Sequence, residues 1–126
     1  MTDTKNHKIL LIEDEEALVT MYETKFKNGG YNISVAFDGE TGLKMATEDK
    51  PDIILLDIIM PKLDGFSVLS KLKEDSKLKD VPVVLLTNLG QDEDIKKGKA
   101  LGAVGYLVKA NMTPAQVVEK VKEYLK

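Results

Sequence analysis

Four polar side chains, each at the end of a short apolar run, could together bind a phosphoryl group. In chain order they are Asp14, Asp57, Thr87 and Lys109. Carboxylates held close together repel each other, so a hard divalent cation is their natural partner. Because oxygen ligands are offered without nitrogen or sulfur, Mg²⁺, Mn²⁺ or Ca²⁺ is favoured over zinc. A hydroxyl and an ammonium would complete a phosphate site in which one carboxylate could be the nucleophile.

Taken singly, each of these residues has an ordinary structural explanation. Acidic residues after a strand commonly begin a helix, because negative charge is favourable near a helix N-terminus. We interpret Glu15 and Glu16 in that way. Threonine and lysine are common in loops and on surfaces. The functional interpretation therefore rests on all four positions falling at one edge of a sheet. Spacing does not settle which carboxylate is the nucleophile, although Asp57, between Leu56 and Ile58, is expected to be the most enclosed.

Five apolar runs predict the sheet that would position these side chains. The runs cover residues 8–12, 33–37, 52–56, 81–86 and 104–108. Their apolar residues come in succession, which is typical of parallel strands buried on both faces. The stretches between the runs are long enough for crossover helices. The chain therefore predicts a doubly wound α/β sheet with helices on both faces, and ligands bind at the carboxyl ends of such strands.

Amphipathic periodicity predicts five helices. They cover about 14–28, 39–49, a segment from about 64 to the charged loop 73–80, 91–101, and a last helix that begins at 113–116. Thr113-Pro114-Ala115-Gln116 has the pattern of a capping box with proline at the first helical position. We interpret Asp38-Gly39 as a turn and Asp64-Gly65 as the cap of the third helix. The fourth helix is predicted to be the weakest, since Gly98 costs about 1 kcal/mol relative to alanine.

The composition excludes several classes of protein. The chain has 126 residues, all 18 of its basic residues are lysine, and 21 acidic residues give a net charge of -3. That balance argues against a direct nucleic-acid binder. The absence of cysteine excludes disulfides and thiolate metal sites. No run approaches the roughly 18 apolar residues of a membrane span, and residues 1–7 are not a signal peptide. We therefore expect one cytoplasmic domain that makes no membrane contact.

Four motifs, in order, resemble those of the receiver domains of two-component response regulators, the CheY-like family. They are ILLIED at 9–14, DIIMPKLDG at 57–65, VLLT at 84–87 and GYLVK at 105–109. The resemblance covers nearly the whole chain. It implies a flavodoxin-like receiver fold, with five parallel strands in the order 2-1-3-4-5 and five helices. It also implies that residues 1–126 are a single receiver domain with no output domain, a stand-alone response regulator.

The resemblance assigns a role to each acidic position. Asp57 would accept a phosphoryl group from the phosphohistidine of a sensor histidine kinase or a phosphotransfer protein. Asp14, Asp57 and the backbone carbonyl of Ile59 would hold Mg²⁺, with Mn²⁺ as a possible substitute. Glu13, where the family more often has aspartate, would act on the metal through water. Beyond its own phosphorylation and dephosphorylation, such a protein is not an enzyme.

The resemblance also implies how the signal leaves the domain. Thr87 and Lys109 would contact the phosphoryl oxygens, and Thr87 and Tyr106 would be the switch residues. The signalling surface would consist of the fourth helix, the fifth strand and the fifth helix, and it would bind an unknown downstream protein. We expect a monomer or a weak dimer through that surface.

Four positions depart from the family pattern or extend it. Ala110 follows Lys109 where the family usually has a cis proline, and a non-proline cis bond costs about 3–4 kcal/mol, so a cis and a trans bond both stay open. Asn88 is bulkier than the small residue often found there and could narrow access to Asp57. Apolar Ile59 and Leu89 flank the path of a hydrolytic water and cannot orient it, so we expect a long-lived phosphorylated state.

Other functions stay open as alternatives. A phosphatase of the haloacid-dehalogenase type also uses an aspartate nucleophile and Mg²⁺, but it would need an aspartate where this chain has Ile59. A nucleotide or flavin enzyme lacks support, because there is neither a G-x-G-x-x-G motif nor a P-loop. The chain could also be a receiver excised from a larger regulator, or a pseudo-receiver that works without phosphate.

Overall fold

The five apolar runs form one parallel sheet. In the computed structural model, which describes residues 7–125, the strands are β1 (Lys8–Ile12), β2 (Asn32–Ala36), β3 (Ile53–Leu56), β4 (Val83–Thr87) and β5 (Gly105–Val108). Their order is β2-β1-β3-β4-β5, and all paired strands are parallel. The predicted class and strand order are confirmed. β4 begins two residues later than predicted, since the Val81 N–H bonds to the Leu78 carbonyl in the preceding turn.

Five helices alternate with the strands, as predicted. They are α1 (Glu16–Asn28), α2 (Gly39–Asp49), α3 (Gly65–Glu74), α4 (Asp92–Ala100) and α5 (Pro114–Tyr124). Thr113 and Gln116 form the predicted capping box, and Asp64 caps α3 by accepting from the Ser67 N–H at 3.0 Å. Asp38 does more than form a turn, because its carboxylate accepts from the Thr41 N–H at 2.8 Å and so caps α2. Three of the helices therefore begin next to a side chain that caps their N-terminus.

The helices cover both faces of the sheet. Residues of α2 and α3 pack with Leu10, Ile54 and Leu85 on one face, while residues of α1 and α5 pack with Leu11 and Val84 on the other. The central strands β1, β3 and β4 are buried almost throughout, whereas β2 is half-buried along most of its length. Within residues 7–125, no helix is both long enough and apolar enough to cross a bilayer.

Gly98 has a packing role that the sequence did not indicate. It is the buried residue of α4, and a Cβ at this position would lie 2.5 Å from Cδ1 of Leu85 in β4. The residue that lowers the helix propensity is therefore also the one that lets α4 approach the sheet. On the outer side, the Lys97 ammonium lies 4.5 Å from the centre of the Phe66 ring, in a cation–π contact between α4 and α3.

Candidate functional site: an acidic cluster with one buried lysine

The pairing of two central strands places Glu13 and Asp57 side by side. β1 and β3 are paired with Ile12 opposite Leu56, and the two acidic residues come directly after this pair. The Asp57 N–H donates to the Ile12 carbonyl at 3.0 Å, and the Glu13 N–H donates to the Ala36 carbonyl, also at 3.0 Å. Both side chains are buried, with exposed fractions of 1% for Glu13 and 6% for Asp57. Within residues 7–125, Glu13, and not Asp57 as predicted, is therefore the most enclosed acidic residue.

Three carboxylates converge at this edge of the sheet. Oxygen atoms of Glu13, Asp14 and Asp57 all lie within 4.8 Å of one another. Asp14 is half-buried. The backbone N–H of Ile59 donates to Asp57 Oδ1 at 3.3 Å, and the N–H of Glu15 donates to Glu13 Oε2 at 3.0 Å. The donor set consists of oxygen alone, which fits a hard divalent cation such as Mg²⁺.

Lys109, directly after the edge strand β5, brings an ammonium to this cluster. Its ammonium donates to Asp57 Oδ2 at 3.0 Å and to Glu13 Oε1. Lys109 is buried and begins a short 3₁₀ turn, Lys109–Asn111. No cis peptide bond occurs within residues 7–125, so the bond to Ala110, left open by the sequence, is trans. The trans bond is compatible with a lysine that reaches Asp57.

For both Glu13 and Lys109, burial and the neighbouring charged groups have opposite effects on the pKa. Burial raises the pKa of Glu13, although the hydrogen bond from Lys109 works in the other direction. Burial by itself would lower the pKa of Lys109, but its bonds to Glu13 and Asp57 outweigh that effect and raise it. Lys109 is therefore an ammonium at neutral pH. One ammonium among three carboxylates leaves an excess of negative charge, which a divalent cation would neutralise.

Thr87 and Tyr106 meet at the backbone of one residue in the loop between β4 and α4. Thr87 is fully buried, and its Oγ1 accepts from the Leu89 N–H at 3.4 Å. The Tyr106 hydroxyl donates to the Leu89 carbonyl. Burial first, then the charges of Asp94 and Asp57, raise the pKa of Tyr106 from 10.0 to about 12. The two predicted switch residues are thus linked through Leu89.

Gly65 supports the site in a way that sequence reasoning missed. Its N–H donates to the Ile58 carbonyl at 2.8 Å. A Cβ at Gly65 would lie 2.2 Å from the Asp57 carbonyl oxygen and 2.6 Å from the Ile58 Cα. The start of α3 is therefore packed against the backbone that carries Asp57. The Asp64-Gly65 pair signalled a helix cap, but only the close approach of two backbone segments reveals the second role.

Comparison with known proteins agrees with this geometry. The model of a family described as the response regulator receiver domain matches residues 9–122. The alkaline phosphatase synthesis transcriptional regulatory protein PhoP of Bacillus subtilis is 38% identical over 96% of this chain and 49% of its own length. The structure of chemotaxis protein CheY4 of Vibrio cholerae is 29% identical, with a TM-score of 0.87, over 93% of this chain and 97% of that one. The Mn²⁺-bound form of response regulator Rcp1 is 26% identical, with a TM-score of 0.82, over 94% and 93% of the two chains.

The chain spans half or less of the length of the curated relatives that it matches. Response regulators interact with histidine kinases or phosphotransfer proteins, and their receiver domains are generally signalling modules that bind Mg²⁺ at an acidic site. With a family match over nearly its whole length, a five-stranded sheet in the receiver order and an acidic cluster at the strand ends, this chain belongs to the response regulator receiver domain family of two-component signalling.

Proposed function

We propose that this chain accepts a phosphoryl group on Asp57 from a phosphohistidine and passes the signal on by a change of surface. The observation that carries the proposal is the setting of Asp57, whose carboxylate lies among three clustered carboxylates and contacts the Lys109 ammonium at 3.0 Å. In the transfer, an Asp57 oxygen forms a bond to phosphorus while the nitrogen–phosphorus bond breaks. The imidazole leaves with that electron pair.

Asp57 is a better nucleophile candidate than its neighbour Glu13. Both carboxylates accept one bond from Lys109 and one from a backbone N–H, but Glu13 is only 1% exposed. Asp57 has a larger exposed fraction, and the adjacent Ile59 side chain is 58% exposed, so the surface beside Asp57 is open. A donor group can therefore reach Asp57 more easily than Glu13.

The metal ligands in this proposal are Asp14, Asp57 and the backbone carbonyl of Ile59, with Glu13 acting through water. The clustered carboxylates fit such a cation by donor type and by charge. Bound Mg²⁺, or Mn²⁺ as in the related Rcp1 structure, would neutralise negative charge on the carboxylates and the phosphoryl oxygens. Without it, an anionic phosphodonor would meet a site with three carboxylates and one ammonium.

Lys109 and Thr87 would hold the transferred group. The ammonium of Lys109 already touches Asp57, so it needs only a small shift to contact a phosphoryl oxygen and offset its charge. Thr87 would donate its hydroxyl to another phosphoryl oxygen. Because its Oγ1 accepts from the Leu89 N–H and the Leu89 carbonyl accepts from Tyr106, a movement of Thr87 would alter the position of Tyr106.

The output surface in this proposal is formed by α4, β5 and α5, and it would bind a downstream protein. Tyr106 is part of β5, while α4 is held on the sheet through the close approach of Gly98 to Leu85. A helix with one buried residue has little apolar contact to lose when it moves. A change at Thr87 and Tyr106 could therefore be transmitted to this surface at low cost in free energy.

The alternative, a phosphatase of the haloacid-dehalogenase type, finds no supporting residue. Such an enzyme needs an acid–base carboxylate two residues after the nucleophile, and this chain has Ile59 there. Ile59 carries no titratable group, so it cannot protonate a leaving group or activate water. Turnover of a free phosphoester would nevertheless revive this function.

Phosphorylation by a small donor tests the proposal. The protein is incubated with Mg²⁺ and acetyl phosphate and then weighed by mass spectrometry. We expect the gain of one phosphoryl group in the wild type and none in Asp57→Ala. Asp49→Ala, which removes an exposed aspartate at the end of α2, is the matched control and should gain the group normally. An unmodified wild type, or an adduct that persists in Asp57→Ala, would overturn the assignment.

A further inference from the structure

β2 is an edge strand with hydrogen-bonding groups directed away from the sheet. The Asn32 N–H donates to the His7 carbonyl at 3.0 Å, and the Ala36 carbonyl accepts from the Glu13 N–H, also at 3.0 Å. The backbone groups of residues 32, 34 and 36 therefore face β1. By the alternation of a β-strand, the N–H and C=O groups of Ile33 and Val35 point outward, where β2 has no neighbouring strand among residues 7–125.

This edge lacks the usual protection against strand pairing. Exposed edge strands are commonly blunted by charged residues, proline or a bulge. Residues 28–37 contain neither a charged residue nor a proline, although 31% of the chain is charged. Ile33, Ser34 and Val35 are half-buried, and Phe37, directly after the strand, is 47% exposed. The edge is therefore suitable for the addition of another strand.

We infer that β2 pairs antiparallel with β2 of a second copy of this chain. In the register that we assign, Ile33 lies opposite Val35 of the second copy, so the outward groups of both strands bond to each other. The two-fold axis then passes beside Ser34. Phe37 lies opposite Tyr31 of the second copy, and Tyr31 borders a cavity of about 560 Å³ at the start of this edge. One register thus pairs the outward groups and brings the second copy beside the exposed Phe37.

The lack of charge favours a second copy over a strand from another protein. In a two-fold pairing any charge near the axis would have a like charge close by on the second copy, and like charges across a strand pair destabilise it. An edge without charge is self-complementary in this respect. The inference goes beyond the proposed phosphoryl switch, because β2 and β5 are opposite edges of the sheet.

A disulfide cross-link tests the register directly. The chain has no cysteine, so Ser34→Cys introduces one thiol. Because the backbone groups of Ser34 face β1, the two copies of position 34 would form a non-hydrogen-bonded pair with Cα atoms about 4.5 Å apart, within disulfide range. Ser76→Cys, at an exposed loop position, is the matched control. We expect Ser34→Cys dimers to form about 10-fold faster under mild oxidation; equal rates would overturn the inference.

Charge reversal at the same position separates specific pairing from aggregation. We expect wild-type protein to show reversible dimers in sedimentation velocity as its concentration rises. Ser34→Lys and Ser34→Glu should each lose this association, and an equimolar mixture of the two should recover it, because opposite charges then face each other. Dimers in both single variants, a wild type that stays monomeric, or a mixture that does not associate would contradict the proposed pairing.

A proline variant tests the role of the outward backbone groups. Val35→Pro removes an outward N–H without removing a bond to β1, and proline is tolerated on edge strands. Val35→Ala keeps the N–H while shortening the side chain. We expect dimers in Val35→Ala and none in Val35→Pro, with urea melts showing that both are folded. Equal association of two folded variants would argue against strand pairing.

Discussion

Lys109 and Asp57 are 52 residues apart in the chain, yet the Lys109 ammonium donates to Asp57 Oδ2 at 3.0 Å in a buried site. The same ammonium donates to Glu13, 96 residues away from it in sequence. One cation thus joins the carboxylates at the ends of β1 and β3 to the end of β5. This three-residue link is the main electrostatic feature of the candidate site.

Removal of that cation should destabilise the protein. Lys109→Met leaves Glu13 and Asp57 buried without their partner, and loss of one member of a buried ion pair costs about 3–5 kcal/mol. We expect a decrease of this order in the free energy of unfolding, measured by urea denaturation at neutral pH. Added Mg²⁺ should recover part of the loss, because it would neutralise the same carboxylates.

The control for this prediction is an exposed ion pair. Lys120 lies 3.9 Å from Glu123, and the two side chains are 50% and 61% exposed. Lys120→Met should lower the free energy of unfolding by less than about 1 kcal/mol. If both methionine variants lose the same stability, Lys109 does not have the role described here.

Gly65→Ala should disturb the site through the backbone. The added Cβ would lie 2.2 Å from the Asp57 carbonyl oxygen, so α3 or the Asp57 segment must move. Overpacking of this kind costs about 1–3 kcal/mol, and we also expect slower phosphorylation by acetyl phosphate. Gly90→Ala is the control, because its Cβ would lie 3.5 Å from the Val108 methyl groups, an ordinary contact. Similar stability and phosphorylation of both variants would refute the prediction.

Ile59→Asn should shorten the lifetime of the phosphorylated state. The Ile59 side chain is 58% exposed and follows Asp57 by two residues, so an amide there could orient water toward the phosphoryl group. We expect loss of phosphate about 10-fold faster, equivalent to about 1.4 kcal/mol of activation free energy, measured by mass spectrometry over time. Val104→Asn, at another exposed apolar position, should leave the rate unchanged. An equal rate in the wild type and Ile59→Asn would contradict the proposal.

The ionisation of Tyr106 should make stability depend on pH in the alkaline range. Its pKa is raised from 10.0 to about 12 in the folded protein, so the folded state holds a proton that the unfolded state has lost. The contribution to stability is therefore complete below pH 10 and is lost as the pH rises toward 12. The difference in ultraviolet titration between wild type and Tyr106→Phe reports this ionisation. A midpoint near 10 in that difference would contradict the prediction.

Several features of the site could be predicted from the sequence because they follow from local patterns. Apolar runs that alternate with amphipathic stretches indicate parallel strands, and parallel strands bring their carboxyl ends to one edge. That reasoning alone predicts that Asp57 and Lys109 lie at the same edge of the sheet. The capping box at Thr113 and the helix cap at Asp64 could also be predicted from the sequence, since a cap depends on residues three positions apart.

The tertiary structure decided what depends on distances between remote segments. Glu13 is less exposed than Asp57, although β1 and β3 both have a neighbouring strand on each side, and no pattern around residue 13 contains that information. Gly65 and Gly98 resembled a helix cap and a weak helix position, but Gly65 lets α3 approach the Asp57 backbone and Gly98 lets α4 approach β4. The sequence by itself therefore determined the fold class, the strand order through its family resemblance, and the convergence of Asp14, Asp57 and Lys109 at one edge of the sheet. Packing across the sheet decided which carboxylate is enclosed, which partner neutralises it and which glycines lie too close to a neighbour for a Cβ.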